Sequence, residues 1–117
     1  DLDVVRVTDL EAFVSVCQPG AVLRDRLGMD VRVGDHRPPP GGLDIRPALE
    51  GILDVARWGS HPYDVHISYE FLHPFTDGNG RSGRALWLWQ MERQRIPWRR
   101  IGFLHAFYYQ TLSRSRR

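Results

Sequence analysis

Residues 73–84 read His-Pro-Phe-Thr-Asp-Gly-Asn-Gly-Arg-Ser-Gly-Arg, and no other stretch constrains the fold of this chain as tightly. A helix running into His73-Pro74 must break there, because proline cannot donate the next hydrogen bond. Gly78 and Gly80, on either side of Asn79, allow positive φ and let a ligand approach the backbone N–H groups closely. A helix then starts near Arg81. The expected frame is helix, glycine-rich loop, helix, with the free N–H groups and the positive end of the second helix pointing into the loop.

That frame has a chemistry. Successive amides in such a turn form an anion-binding concavity. Arg81 and Arg84, three residues apart, project from one face of the first helical turn, and their planar forks match phosphate oxygens. Asp77 beside an anion hole would be repelled by phosphate unless a hard divalent cation lay between them, as Mg²⁺ does when held by one or two carboxylates plus substrate phosphates. His73, at the end of the preceding helix, has an imidazole able to serve as general base near neutral pH.

The rest of the chain reads as mainly helical. Thr8 and Glu11 have capping-box spacing, and Leu10, Phe13, Val14 and Cys17 fall on one helical face that Pro19-Gly20 ends. Residues 21–27 are long enough for a short second helix. Met29 to Val33 alternates and meets Gly34-Asp35, which predicts a strand and a turn, and Arg37-Pro38-Pro39-Pro40 follows as a stiff extended loop. Leu49, Ile52, Leu53 and Ala56 mark a helix ended by Gly59. The next opens at Ser60-His61-Pro62 with Val65, Tyr69 and Leu72 inward. After the glycine-rich loop come Leu86, Trp87, Trp89, Gln90 and Met91 on a long helix. Ile96-Pro97 separates it from a last one, about residues 98–113, with Ile101, Leu104, Tyr108 and Leu112 inward.

At 117 residues with 42% apolar content, the chain supports one core, and no apolar run approaches the length of a membrane span. The lone Cys17 excludes an internal disulfide and fits a reducing compartment. The N-terminal Asp-Leu-Asp-Val lacks a signal-peptide pattern, so a cytoplasmic location is expected, with delivery to another cell left open. All sixteen basic residues are Arg, and they are unevenly spread: residues 1–80 carry a net −6 and residues 81–117 a net +8. The asymmetry points to an anionic partner for the C-terminal part, nucleotide phosphate or nucleic acid, against a plain solvated basic face, which composition alone favours. Arg93, Arg95, Arg99, Arg100, Arg114, Arg116 and Arg117, interleaved with Trp98 and tyrosines, carry the nucleic-acid alternative. It is disfavoured because no helix-turn-helix or zinc signature accompanies them.

The stretch 73–84 resembles the signature of the Fic family, His-x-Phe-x-(Asp/Glu)-Gly-Asn-Gly-Arg-x-x-Arg. All its specified positions are matched, by His73, Phe75, Asp77, Gly78, Asn79, Gly80, Arg81 and Arg84. His61-Pro62, then His66, Tyr69 and Leu72 before His73, are similar to the family's preceding helix. Val31-Arg32-Val33-Gly34 with Pro38-Pro39-Pro40 resembles its flap hairpin and proline-rich exit. The resemblance covers about residues 28–92. It implies one mainly α domain over residues 1–117, a compact helical core with a β-hairpin flap at 28–40 and the motif helices and catalytic loop at 60–95.

It also implies a protein adenylyltransferase, moving AMP from ATP to a Ser, Thr or Tyr hydroxyl of a target protein. His73 would be the base and Asp77 would hold Mg²⁺. Gly78, Asn79 and Gly80 would line the anion hole, with Asn79 orienting the phosphate under attack. Arg81 would bind the distal phosphates and Arg84 the γ-phosphate, or an inhibitory glutamate. Val31, Arg32 and Val33 would dock the target. Phe75 would anchor the loop to the core. Other family members use other donors or transfer a phosphoryl group, but the phosphotransferases carry Lys where Gly80 stands. A silent Fic-like scaffold is weakened by the full set of catalytic positions. The family's inhibitory (Ser/Thr)-x-x-x-Glu-(Gly/Asn) pattern is missing: Val7, Arg46, His66 and Leu88 precede the four glutamates at that spacing. A brake would then come from an antitoxin-like partner, from residues beyond either end, or not at all. His36, His61, His66 and His105 form no recognisable metal set, and His66 is expected to pack or bond within its own helix.

Overall fold

A computed structural model describes residues 3–95. The expected last helix, the Ile96-Pro97 break, His105 and the distal arginines lie outside the described residues. Four helices follow in order: α1 Val7–Cys17, α2 Ile45–Arg57, α3 Pro62–Leu72 and α4 Asn79–Arg93. The architecture is mainly α, as the sequence predicts. Among the described residues no helix is long and apolar enough to cross a membrane.

Each helix buries most of the stripe its periodicity marks. Leu10 and Val14 of α1, Leu49, Leu53 and Ala56 of α2, Val65, Tyr69 and Leu72 of α3, and Leu86 of α4 meet in one core with Leu23 and Phe75. Phe13 stays 40% exposed and Trp58 74%, so not every aromatic is core. Local signals fix the helix starts. At α3 the His61 ring Nδ1 accepts from the Tyr63 N–H at 3.1 Å, and Pro62 occupies the first turn, where its missing N–H costs nothing. α1 begins earlier than the Thr8–Glu11 spacing predicts. Burying Val7 extends the apolar face by one residue, and the Arg6 N–H donates to Asp9 Oδ2 at 2.8 Å. Glu11 instead reaches Arg46 of α2 at 3.1 Å, a half-exposed pair of small worth.

The long connection between α1 and α2 departs from expectation twice. Residues 21–27 form no helix. Leu23 pairs with Phe75 in an antiparallel bridge, with Arg24 N–H to Pro74 O at 2.8 Å and Thr76 N–H to Val22 O at 2.9 Å. Seven residues make at most a marginal helix, whereas pairing with the 74–76 segment satisfies the same amides and buries Leu23. The flap at 28–40 is likewise not a hairpin of strands. Val33 and His36 exchange N–H···O bonds of 3.0 and 2.9 Å around Gly34-Asp35, and the pairing goes no further. The prolines at 38–40 have no N–H to extend the ladder. Tertiary contacts hold the flap instead: His36 Nε2 meets Phe71 O of α3 at 3.0 Å, and the two rings sit edge to face at 4.9 Å.

Candidate active site

α3 ends at His73, which adopts the left-handed conformation at φ 50°, ψ 62° while its N–H still bonds Tyr69 O at 2.9 Å. A non-glycine residue pays about 1–2 kcal/mol for that conformation. Pro74 disfavours the α region for the residue before it, so the helix has to turn out here. The buried side chain of Arg24 spans the exposed helix end, donating from Nε to His73 O at 2.7 Å and from Nη2 to Leu72 O at 2.8 Å. These are C-terminal carbonyls whose partial charge favours a cation. Burial lowers the Arg24 pKa, and the charge of Asp30 partly opposes that shift.

Phe75 is fully buried, so the loop is nailed to the core one residue after the proline. Asp77 accepts the Gly78 N–H on Oδ1 at 2.8 Å and lies exposed at the rim. Gly78 caps α4 at φ 78°, a conformation that favours glycine, and a Cβ there would crowd Gln18 Cβ at 3.3 Å. α4 therefore starts at Asn79, two residues before the expected start. Ser82 Oγ bonds Gly78 O at 2.9 Å and meets Tyr69 Oη at 2.6 Å, tying the first turn of α4 to α3.

The Asn79 side chain bonds within the loop. Its Oδ1 accepts the Phe75 N–H and its Nδ2 donates to Phe75 O, both at 2.8 Å, in a side chain only 2% exposed. The carboxamide ties the loop together, and the backbone N–H of Asn79 lies in the first turn of α4, where helix amides lack intrahelical partners.

One open cleft of about 580 Å³, a size ordinary for small-molecule sites, collects the other candidates. Its walls include His73, Asp77, Gly78, Asn79, Gly80, Arg81 and Arg84 from the loop and α4, with Val31, Arg32 and Val33 opposite. Arg84 folds back toward the start of its own helix: a Cβ on Gly80 would lie 3.2 Å from Nη1. Arg81 is exposed, and its Nη1 donates to Cys17 O at the C-terminus of α1, at 2.9 Å. Arg32, Arg81, Arg84 and the α4 N-terminus thus set positive potential around a single carboxylate, Asp77.

Mg²⁺ fits this arrangement in one way. Among the described residues no cluster of three His, Cys, Asp or Glu could hold a metal alone. One rim carboxylate beside a cleft lined by Arg81, Arg84 and the α4 N-terminus suits an ion that is shared with an anionic ligand rather than held by the protein alone.

The other described histidines serve the fold. His36 and His61 make the contacts given above, and the buried His66 reaches across to Gly83 O of α4 at 3.2 Å rather than bonding only within α3. The sequence reading missed Arg24, Gln18 and Thr76. Gln18 and Thr76 line the cleft. Nothing in the sequence marks Gln18 beyond its place before Pro19. For Arg24 the only signal is a charge closing the apolar run Ala21-Val22-Leu23.

A search of curated proteins and another of solved structures returned no significant match. A family model, that of the Fic/DOC family, matches residues 15–91. This range holds the α1 end that abuts the loop, the flap, α2, α3 and the glycine-rich turn into α4, and with well over half of its 117 residues matched, the chain belongs to the Fic/DOC family.

Proposed function

We propose that this chain is a transferase that moves AMP from ATP onto a Ser, Thr or Tyr hydroxyl of a target protein. The observation that carries the reading is the gathering of His73, the α4 N-terminus, Arg81, Arg84 and Asp77 in one cleft faced by Val31, Arg32 and Val33. A base, an anion hole and a wall able to receive an extended peptide are the parts in-line transfer requires.

The chemistry assigned to these groups balances simply. His73 takes the proton of the target hydroxyl. The hydroxyl oxygen bonds to the α-phosphorus, and the bond from that phosphorus to the bridging oxygen breaks, releasing pyrophosphate. The N–H groups from Gly78 to Gly80 stabilise the charge growing on the α-phosphate, and Arg81 and Arg84 hold the phosphates that leave. Mg²⁺, held by Asp77 and the nucleotide, would neutralise charge on the phosphates. Gly80 favours this reading over phosphoryl transfer, since the family's phosphotransferases usually carry Lys at that position. A partner presenting a glutamate to Arg84 would inhibit the reaction in trans, by occupying the place of a distal phosphate.

The test is label transfer from α-³²P-ATP and γ-³²P-ATP to proteins of a cytosolic lysate with Mg²⁺, beside His73→Ala. Label from the α position alone, absent with His73→Ala, is expected. Label from γ alone would make the chain a phosphotransferase and overturn the reading.

A further inference from the structure

Arg24 makes five hydrogen bonds, and they join two parts of the site that share no regular secondary structure. Its Nε and Nη2 hold His73 O and Leu72 O, and its own N–H bonds Pro74 O at 2.8 Å. On the other side Nη1 holds Met29 O at 3.0 Å, and the Arg24 carbonyl accepts the Gly42 N–H at 3.0 Å. Met29 and Gly42 are the two roots of the flap. Those roots close tightly: a Cβ on Gly41 would fall 2.5 Å from Met29 O, and the Gly41 N–H bonds Asp30 Oδ1 at 2.9 Å. The guanidinium is fully buried, and among the described residues it has no carboxylate within ion-pair distance. A buried cation compensated by three carbonyls is a costly device for packing alone. It does fix three directions at once, which a lysine ammonium on a flexible stem cannot.

We propose that Arg24 is a positioning residue for the transfer step, holding the left-handed His73 and the flap root in one rigid frame. The frame sets the gap between the His73 imidazole and a hydroxyl presented along Val31–Val33. The assignment rests on the transferase reading above. Arg24 touches no substrate, and the phosphate-binding loop at 77–81 is held by other bonds, so nucleotide binding and transfer separate.

Arg24→Lys is the main test, in the full chain. ATP affinity by calorimetry is expected to stay within about threefold of wild type. The maximal rate of α-³²P incorporation into lysate, followed against ATP concentration, is expected to fall roughly 100-fold, the cost of displacing a reacting group by about 1 Å. Millimolar guanidinium should partly restore the rate of Arg24→Ala, which lysine-like charge alone would not do. An unchanged maximal rate, or a loss matched by equal loss of ATP affinity and of native circular dichroism, overturns the proposal. A second readout is independent of transfer and survives even if wild type labels nothing. Amide NMR signals of His73 and of Val31–Val33 should shift together in Arg24→Lys while that of Gly80 stays in place. Movement of only one group, or of neither, shows that Arg24 does not couple them.

Discussion

Gly51 and Gly83 both lie inside helices, α2 and α4, and replacing either with alanine should gain the same helix propensity, about 1 kcal/mol. Their surroundings differ. A Cβ on Gly51 meets nothing within 4 Å, whereas one on Gly83 would lie 2.9 Å from Glu70 Oε1, 3.0 Å from Tyr69 Cδ1 and 3.2 Å from His66 Cε1. Glu70, Tyr69 and His66 are all buried on α3, so none of these atoms is the free end of an exposed side chain. Overpacking of this kind costs about 1–3 kcal/mol. Gly51→Ala should therefore stabilise the protein by about 1 kcal/mol, and Gly83→Ala should be neutral to about 2 kcal/mol destabilising. The difference between the variants, about 1–3 kcal/mol, is the packing cost alone. At about 4 °C per kcal/mol for a chain of this size, their melting temperatures should differ by roughly 4–12 °C. Matched thermal and urea unfolding measures this directly. A Gly83→Ala protein as stable as Gly51→Ala would refute the reasoning that α3 and α4 touch at this glycine. The contact matters for the candidate site because α3 leads into His73 and α4 begins at the glycine-rich loop, so the helix spacing sets how these two parts of the cleft meet.

Three further outcomes follow from the same geometry. Asn79→Ala leaves the buried Phe75 N–H and C=O without their partners, which should cost about 2–4 kcal/mol in urea unfolding; a loss under 0.5 kcal/mol would mean the loop does not depend on that carboxamide. Tyr69 has its hydroxyl pKa raised above the usual 10.0, chiefly by burial. Its protonated form is thus favoured on folding, so this contribution is intact below about pH 10 and is lost as the pH climbs beyond it. Tyr69→Phe should flatten that alkaline loss, and absorbance titration of wild type should show one phenol ionising only with unfolding. Asp77→Asn should raise the Mg²⁺ concentration needed for half-maximal label transfer at least tenfold while leaving the melting temperature within about 2 °C, because Asp77 is exposed and bonds only Gly78; an unchanged Mg²⁺ dependence would remove Asp77 from that role.

Periodicity and punctuation by themselves determined the four helices, because amphipathic spacing, Pro62, Gly59 and the His73-Pro74 break act within a few residues of where they stand. They also brought the loop residues of the cleft close together, since the positions from His73 to Arg84 span one turn, whereas Gln18 and the flap reach the cleft only through the fold. What lay between α1 and α2 was decided only by tertiary structure. Residues 21–27 have no local signal strong enough to outweigh pairing with the 74–76 segment, and the flap is held by His36 on Phe71 O rather than by a ladder. The bonding of the Asn79 side chain was likewise invisible, since its two bonds to Phe75 depend on how the loop closes. Arg24 is the clearest case. A single arginine in an apolar run says nothing of its partners, which lie 5, 48 and 49 residues away in sequence. Only the folded chain brings those carbonyls within reach of one guanidinium.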